Sequence, residues 1–394
     1  MNKYILDQAV QDYINENLNA DVNQIALSKS LFENVSPAEL ATQITAKKKS
    51  EKKLPTWFKT PGIYYPSPLS IEQTSSEITA QHKATLAKGD FLIDITGGFG
   101  VDAFFFSKAV KAVTHCEIDA SLSEIAAYNA QLLSADNITF KAVNGIDFLK
   151  TNTQLFDTIY IDPARRSQKG KVFMLKDCTP DVIASRNLIL TKCKRLIIKT
   201  APLLDLTAGL KELGTVSEIH IISLKNECKE ILWLIDQDFE GETKITATTL
   251  NDRTKHFSFL KSESDVNINF AQQIVAGNYL YEPDAAVLKS GAFNLIAKRY
   301  DLTKLHSQTQ LYSANHCNAE FPGRIFKIEE MLLSSQLKKQ QHLQGNVIVR
   351  NYPAKAEDLV KKYKITAHKD QFLIFTKTAN GENVILKAKI IQYY

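Results

Sequence analysis

The stretch "FLIDITGGFGVDAFFFSKAV", Phe91–Val110, decides the fold prediction. A short apolar run, "FLIDI", passes directly into the small residues "TGGFG", and the apolar helix opening "VDAFFFSKAV" follows at once. Strand, glycine turn and helix in this order are typical of a nucleotide-binding crossover, because small residues let a ligand approach backbone N–H groups at the start of a helix. The sequence therefore predicts a cofactor at this turn, with Gly97, Gly98 and Gly100 allowing the close approach.

The same alternation continues on both sides of the turn. Short β-rich runs such as "AVTHCEI", "FDTIYI" and "RLIIKT" are separated by helix-like stretches such as "SLSEIAAYNAQLL". Alternating strands and helices predict a parallel sheet with helices packed on its faces. Farther along, "SEIHIISL" and "EILWLID" are separated only by "KNECK", which predicts an antiparallel hairpin at the edge of that sheet.

The N-terminal region has a different pattern. Residues 1 to about 45 show apolar residues at helical spacing, and Ser36, Pro37 and Glu39 form a capping box that begins a helix. The proline- and aromatic-rich segment "LPTWFKTPGIYYPSPLS" predicts a linker without regular structure. We expect a helical region and linker over residues 1–60 and a Rossmann-like domain over 61–265.

Composition limits the class of protein. The chain has 394 residues and 44% hydrophobic content, and it has no apolar run long enough to span a membrane. Its five cysteines have no metal-ligand spacing, so we expect a cytoplasmic protein without a metal site and without a membrane partner. From Phe326 to Tyr394 there are twelve Lys+Arg against six Asp+Glu, and residues 47–53 contain five lysines. Concentrated positive charge is the pattern of a polyanion binder, although lysine-rich faces also keep proteins soluble.

Four acidic residues follow successive predicted strands: Asp94, Glu117, Asp147 and Asp162. In a parallel sheet they share the carboxyl edge, where ligands bind, and Glu117 is placed to accept both hydroxyls of a ribose. Gly98, Gly100 and Ala103 also fit G-x-G-x-x-A, so a dinucleotide-dependent dehydrogenase is an alternative. A dehydrogenase explains Glu117 but not Asp147 together with Asp162-Pro163.

The series of acids resembles the pattern of class I S-adenosylmethionine-dependent methyltransferases. The resemblance implies S-adenosylmethionine as cofactor, with Asp94 at its ammonium, Glu117 at its ribose, Ile118 on one face of the adenine and Asp147 at the adenine amino group. It also implies that the N-terminal segment "EQTSSEITA" lines the cofactor pocket. The candidate cofactor-binding residues are Thr74, Ser76, Asp94, Thr96, Gly97, Gly98, Gly100, Glu117, Ile118, Asp147 and Asp162, with Gln73 beside them.

Further motifs extend the resemblance over nearly the whole chain. The sequence is similar to bacterial class I methyltransferases that carry a C-terminal THUMP-like domain, as seen in "DITGGFGVDAFFFS", "IDPARR", "YEPDAAVLKSGAFNLIA", "FPGRIFKI" and the basic β-α-β-β tail. This implies a Rossmann-like sheet, a helical N-terminal region and two small α+β units. The units are a ferredoxin-like module over 280–325 and a THUMP-like domain over 326–394. Because THUMP domains bind RNA, the resemblance implies RNA, either tRNA or rRNA, as partner.

The candidate catalytic residues are Asp162, Pro163, Arg165 and Lys199. In-line methyl transfer needs the acceptor lone pair aligned with the methyl group, and an acid in a proline turn can hold a base amine in that way. Amino-methyltransferases usually have Asp/Asn-Pro-Pro-aromatic, whereas this turn is Asp162-Pro163-Ala164-Arg165. Because this turn has no aromatic ring, we expect Arg165 either to stack its guanidinium on the base or to contact a phosphate.

Other functions fit the same residues. A ribose 2′-O-methyltransferase would use Asp162, Lys199 and Glu230, with Lys83 as a further lysine. An RNA-binding protein with a vestigial methyltransferase fold is the alternative from another class, and a protein or small-molecule methyltransferase is a third. Methyl label found in RNA would distinguish an RNA methyltransferase from an RNA-binding protein with a vestigial fold and from a protein or small-molecule methyltransferase.

Overall fold

A computed structural model of the chain describes residues 1–165, 174–337 and 342–394. The chain forms two compact units. The first unit contains Met1–Val216 and Trp233–Phe239, and the second contains Ser217–Leu232 and Glu240–Tyr394.

The first unit begins with helices α1 to α6, which are α1 (Gln8–Glu16), α2 (Val22–Ala26), α3 (Pro37–Lys53), α4 (Pro55–Lys59), α5 (Pro68–Gln73) and α6 (Glu77–Ala84). The predicted capping box is present at the start of α3, where Ser36 and Glu39 each bond the other's backbone N–H group. The prediction of an irregular linker was wrong, because α4 and α5 lie inside that segment. Pro55 and Pro68 each occupy a first-turn position, where proline loses no helical hydrogen bond.

A buried glutamine holds the remaining irregular part of that segment. Gln43 of α3 donates to the Tyr65 carbonyl at 2.6 Å and accepts from the Tyr65 N–H group at 3.0 Å. The Tyr65 hydroxyl in turn donates to the Trp57 carbonyl at 3.0 Å. The segment is therefore fixed against α3 and α4 and is not a free connection.

The predicted parallel sheet is present in the first unit. Its elements are β1 (Phe91–Asp94), α7 (Val101–Ser107), β2 (Ala112–Cys116), α8 (Ala120–Leu132), β3 (Ile138–Lys141), α9 (Gly145–Thr151), β4 (Phe156–Ile161), β5 (Ala164–Arg165), β6 (Cys178–Thr179), α10 (Val182–Leu190), β7 (Cys193–Thr200) and α11 (Leu206–Leu213). The strand order is β7-β4-β1-β2-β3, and every neighbouring pair in it is parallel. The mixed α/β fold with a helical N-terminal region is confirmed.

The second unit continues with β8 (Glu218–Leu224), β9 (Glu227–Asp236), β10 (Lys244–Leu250) and β11 (Thr254–Leu260), in the order β9-β8-β10-β11. Only Lys225 and Asn226, both with positive φ, connect β8 to β9. A two-residue connection of this kind joins antiparallel neighbours, so the predicted hairpin is present. Its predicted position at the sheet edge was wrong, because β10 and β11 lie beyond β8. The C-terminal half of β9 belongs to the first unit.

A second sheet contains the strands after residue 278. Its elements are β12 (Tyr279–Pro283), α12 (Ala285–Ser290), α13 (Phe293–Arg299), β13 (Thr303–His306), β14 (Thr309–Ala314), β15 (Gly323–Leu332), α14 (Ser334–Leu337), β16 (Asn346–Val349), α15 (Ala356–Tyr363), β17 (Gln371–Lys377) and β18 (Asn383–Gln392). The order is β13-β14-β12-β15-β18-β17-β16. The last four elements form the predicted β-α-β-β unit.

One buried carboxylate connects the two halves of this second sheet. Glu282 of β12, with 3% of its surface exposed, accepts from Nε of Arg324 and from Nε of Arg350, each at 2.8 Å. A buried carboxylate needs such partners, since removing a charge from water is unfavourable. Glu282 therefore requires β12, the start of β15 and the end of β16 to lie together.

Three of the five lysines at residues 47–53 make contacts with other helices of the first unit, while Lys48 and Lys52 are exposed. Lys47 is buried, donates to Asn15 at 2.6 Å, and has its pKa lowered by burial. Lys49 pairs with Glu72, and Lys53 donates to two backbone carbonyls at the end of α5. Lys49 and Lys53 hold α3 against α5, and Lys47 holds it against α1, so these three lysines contribute little to a polyanion-binding surface.

Candidate functional site

The predicted acids meet at one edge of the sheet. Asp94 is the last residue of β1, Asp162 follows β4, and Glu117 follows β2, while Lys199 is the second-last residue of β7. Because β7, β4, β1 and β2 are consecutive parallel neighbours, their carboxyl ends lie side by side. The strand-helix alternation read from the sequence is what brings these four side chains together.

A cavity of about 590 Å³ lies at this edge. Its volume is in the usual range for a small-ligand site. Four carboxylates line it, from Asp94, Asp102, Glu117 and Asp162, and no lysine or arginine of the described residues is part of the lining. The other predicted residues in the lining are Gln73, Thr74, Thr96, Gly97 and Gly98.

Four predicted cofactor-binding residues lie outside the lining. Ser76 caps α6, and Gly100, at φ 84°, caps α7 in the left-handed region that favours glycine. The Ile118 side chain is 72% exposed beside the site. Asp147 pairs with Lys150 at 2.8 Å on the exposed side of α9.

The glycine turn is held by the acids around it. The Asp94 carboxylate accepts from the Thr96 N–H group at 2.9 Å, and the Thr96 hydroxyl accepts from the Asp162 N–H group at 2.7 Å. The Glu117 carboxylate accepts from the N–H groups of Gly98 and Asp119, both at 2.8 Å. These hydrogen bonds fix the conformation of the glycine turn and the orientation of the Asp94 and Glu117 carboxylates at the cavity.

Gly97 is required by a close approach. A Cβ atom at this position would lie 2.2 Å from Nε2 of His115, whose ring is fully buried beneath the turn. Burial lowers the pKa of His115 to about 4, so the ring is neutral at physiological pH. The neutral imidazole therefore acts as a packed support for the turn.

Asp94 is electrostatically unusual. Its side chain is 1% exposed, and burial, together with the charges of Asp102 and Asp162, raises its pKa well above the ordinary value. A carboxyl group in this state favours a cationic ligand, because a nearby positive charge stabilises the ionised form.

The sequence did not predict a buried ionic network beside the cavity. Lys83 has no exposed surface; its ammonium donates to the Ser75 hydroxyl at 2.9 Å and lies 3.2 Å from Asp102. Asp102 also accepts from the hydroxyls of Ser75 and Tyr160, both at 2.8 Å. Ser75 and Asp102 line the cavity.

Asp102 is ionised despite its burial. Burial by itself raises the pKa of this carboxyl, but the charges of Lys83 and Lys199 and the hydroxyl hydrogen bonds lower it below the ordinary value. A signal for Asp102 was present in the sequence, since it is the one acid in the apolar helix opening "VDAFFFSKAV". An acid in such a setting needs a buried cation, but nothing in the local sequence points to Lys83.

The predicted catalytic pair is in contact. Nζ of Lys199 donates to Asp162 at 2.5 Å and to the Ser75 hydroxyl at 3.3 Å. Pro163 is buried, Ala164 lines the cavity, and Arg165 continues into β5. The Arg165 side chain lies outside the described part of the chain. Glu230 is a buried residue of β9 in the second unit.

Two family models match the C-terminal part of the chain. A ferredoxin-like domain matches residues 279–322, and a THUMP domain-like family matches residues 323–389. The order of the two domains is the predicted one.

Curated relatives cover most of the chain at low identity. A protein of Mycobacterium tuberculosis (strain H37Rv), described as an uncharacterized S-adenosylmethionine-dependent methyltransferase, is 22% identical over 320 residues, which is 79% of this chain and 84% of the relative. A shorter match, 30% identical over 84 residues, is to an uncharacterized RNA methyltransferase of Mycoplasma mobile. It covers 21% of this chain and 23% of that protein.

One solved structure matches the chain over its full length. The crystal structure of a candidate methyltransferase from Porphyromonas gingivalis W83 is 28% identical, covers 99% of both chains and has a TM-score of 0.87. The Porphyromonas gingivalis structure confirms the predicted fold, and the predicted cofactor is the one named for the Mycobacterium tuberculosis relative. Over residues 1–165, 174–337 and 342–394, no helix has the length and apolar character that crossing a membrane requires.

His115 predicts a specific pH dependence of stability. The pKa of its ring is about 4 in the folded chain, against about 6.5 when unfolded. The unfolded state therefore binds more protons between these values, and stability is lost as pH falls through that window. Between pH 7 and pH 5 we expect a loss of about 2 kcal/mol in the free energy of unfolding, measured by urea titration.

The variant His115→Gln isolates this effect, because glutamine does not titrate. Its loss of stability between pH 7 and pH 5 should be smaller than that of the wild type by the same amount. The matched control is His316→Gln, at an exposed histidine, which should retain the wild-type pH dependence. Equal losses in the wild type and in His115→Gln would contradict a neutral buried ring.

Proposed function

We propose that this chain, an S-adenosylmethionine-dependent methyltransferase with ferredoxin-like and THUMP-like C-terminal domains, methylates RNA on a base amino group held at Asp162. The observation that carries the proposal is the Asp162 carboxylate, which lines the cofactor cavity while paired with Lys199. The THUMP domain-like match and the RNA methyltransferase described from Mycoplasma mobile support RNA, either tRNA or rRNA, as the substrate.

The cavity fits the cofactor in charge and in shape. S-adenosylmethionine carries an ammonium, a sulfonium and a ribose diol. The described lining offers four carboxylates, one of them (Asp102) already paired with Lys83, and no cationic side chain. Gly97 and Gly98 both line the cavity, and at Gly98 the position of a side chain is open except for the Thr96 carbonyl oxygen 3.9 Å away. When bound, the cofactor supplies an electrophilic methyl group on its sulfonium.

The chain's own residues then have distinct binding roles. Asp94, whose burial favours a cationic partner, receives the ammonium, and Glu117 accepts hydrogen bonds from the ribose hydroxyls. Ile118 is exposed enough to cover a face of the adenine. Asp147, with Lys150 as its partner, would receive the adenine amino group by exchanging that surface ion pair for a hydrogen bond.

The Asp162–Lys199 pair supports a base amine as the group that accepts the methyl. An ionised carboxylate only accepts hydrogen bonds and an ammonium only donates them. Side by side, they match an exocyclic amine next to a ring nitrogen, as in adenine, cytosine and the N3 side of guanine. Asp162 accepts one N–H bond and turns the amine's lone pair toward the cavity, while Lys199 donates to the ring nitrogen.

The same pair also favours a second candidate, methylation of a ribose 2′-hydroxyl. An ammonium beside a carboxylate stabilises the alkoxide that forms when a hydroxyl loses its proton, and Lys83 supplies a second buried ammonium nearby. The two candidates differ in the atom that is methylated, so the modified nucleoside distinguishes them directly.

The THUMP-like segment supplies a surface for the RNA backbone. Lys355, Lys361, Lys362, Lys364 and Lys369, on and around α15, are all exposed. In the described part of the chain none of them lies within 4 Å of a carboxylate oxygen. Exposed lysines on one short segment attract phosphates, and their binding releases the counterions of the RNA.

Replacing Glu117 should weaken cofactor binding. The variant Glu117→Ala removes a charged acceptor, and we expect S-adenosylmethionine to bind about 10- to 100-fold more weakly by calorimetry. Asp136→Ala, at an exposed acid away from the cavity, is the control and should bind as the wild type does. Equal affinity in Glu117→Ala and the control would remove Glu117 from the cofactor site.

Nucleoside mass spectrometry tests the reaction. RNA from a strain lacking the gene should miss one methylated nucleoside, and purified protein with labelled S-adenosylmethionine should restore it. The variant Asp162→Asn should lower the rate by about 10²- to 10⁴-fold, because it loses the charged acceptor. A base-methylated product supports the amine, and a 2′-O-methylated product supports the second candidate. Label in protein or metabolites alone would overturn both.

Charge reversal on α15 tests the RNA surface. Lys361→Glu combined with Lys362→Glu should weaken binding of total RNA and reduce its salt dependence, while affinity for S-adenosylmethionine stays unchanged. Lys29→Glu combined with Lys261→Glu changes the net charge equally at exposed lysines elsewhere. If both double variants lose RNA affinity to the same extent, α15 is not the contact surface.

A further inference from the structure

Ser75 occupies the point where two ion pairs meet. On one side Lys83 and Asp102 form a buried pair, and on the other Lys199 and Asp162 form the pair that faces the cavity. The Ser75 side chain is 6% exposed and contacts members of both pairs. It lies in the short connection between α5 and α6, so neither helix holds it directly.

The hydrogen bonds of Ser75 use the full capacity of a hydroxyl. It donates to Asp102 at 2.8 Å, and it accepts from Lys83 at 2.9 Å and from Lys199 at 3.3 Å. A hydroxyl has one proton and two lone pairs, so all three directions are occupied. Its orientation is therefore set from the interior, because Lys83 has no exposed surface and Asp102 is anchored again by Tyr160 at 2.8 Å.

We propose that Ser75 is a positioning residue that holds the Lys199 ammonium against Asp162. A lysine side chain has four rotatable bonds and loses much freedom when it is fixed in one place. Ser75 gives this ammonium, in addition to Asp162, an acceptor whose own direction is fixed by Lys83 and Asp102.

The inference rests on the proposed role of the Asp162–Lys199 pair, and it explains what keeps the two side chains of that pair in a fixed geometry. Ser75 acts through Lys199 and does not itself need to touch the RNA. The buried pair of Lys83 and Asp102 likewise acts at a distance by orienting the hydroxyl.

The variant Ser75→Ala tests the inference. It removes one acceptor of the Lys83 ammonium, but Lys83 and Asp102 remain paired at 3.2 Å and Tyr160 still donates to Asp102. The matched control is Ser107→Ala in α7. That serine is also buried, and its hydroxyl donates only within its own helix, to the Phe104 carbonyl at 2.7 Å.

The first measurement requires no RNA. Lysine acetylation followed by mass spectrometry reports how firmly Lys199, whose side chain is 13% exposed, is held. In Ser75→Ala we expect Lys199 to react several-fold faster than in the wild type and in Ser107→Ala. An unchanged rate for Lys199 would overturn the inference, whatever the reaction of the enzyme proves to be.

The second measurement is a double-mutant cycle on methyl transfer to RNA from the deletion strain. Ser75→Ala should lower the rate about tenfold, a coupling of about 1.4 kcal/mol, and change affinity for S-adenosylmethionine much less. In a Lys199→Met background the same substitution should have no further effect. A tenfold loss that persists there would show a structural role instead, and an absence of transfer by the wild type would refute the proposed function alone.

Discussion

The arrangement of the site depends on the burial of Lys83. An ammonium with no exposed surface is strongly destabilising unless a carboxylate and other acceptors surround it. Asp102 and Ser75 meet that requirement, and Tyr160 completes the shell of Asp102. These groups come from α6, the loop before it, α7 and β4. One ionic contact therefore fixes the N-terminal helices, the helix after the glycine turn and a central strand relative to each other at the floor of the cavity.

This constraint explains why the acids around the cavity behave differently. Asp102 is ionised because two ammonium groups and two hydroxyls compensate for its burial. Asp94 is equally buried but has mainly backbone and threonine donors, and two neighbouring carboxylates raise its pKa further. The cavity lining thus contains one acid, Asp102, whose charge is compensated by ammonium groups, and another, Asp94, whose ionised form is disfavoured by its surroundings. A cationic ligand is favoured at the second, which is where the methyltransferase resemblance puts the cofactor's ammonium.

Much of this arrangement was predictable from local patterns. Strand and helix alternation fixes which residues reach the carboxyl edge, so Asp94, Glu117, Asp162 and Lys199 could be placed without knowing the fold in detail. Ser75 and Lys83 could not, because their roles come from how α5 and α6 pack against the sheet and not from their own sequence context. The helices α4 and α5 were missed because prolines were taken as helix breakers, although each stands in a first turn. Ser76 was expected at the cofactor, but its hydroxyl caps α6 and its neighbour Ser75 faces the cavity.

The turn at Asp162 departs from the usual amino-methyltransferase sequence in a way that the structure makes understandable. Where that sequence has a second proline and an aromatic ring, this chain has Ala164 and Arg165, and the small side chain of Ala164 lines the cavity. The methylated group is then oriented less by stacking and more by two hydrogen bonds, one to a fixed acceptor and one from a fixed donor of this chain. Lys199 and Asp162 form such a set, but a flexible lysine gives a defined direction only if something else holds it. The interior network reaching Lys199 through Ser75 supplies that rigidity, so the buried ion pair and the unusual turn are consistent parts of one arrangement.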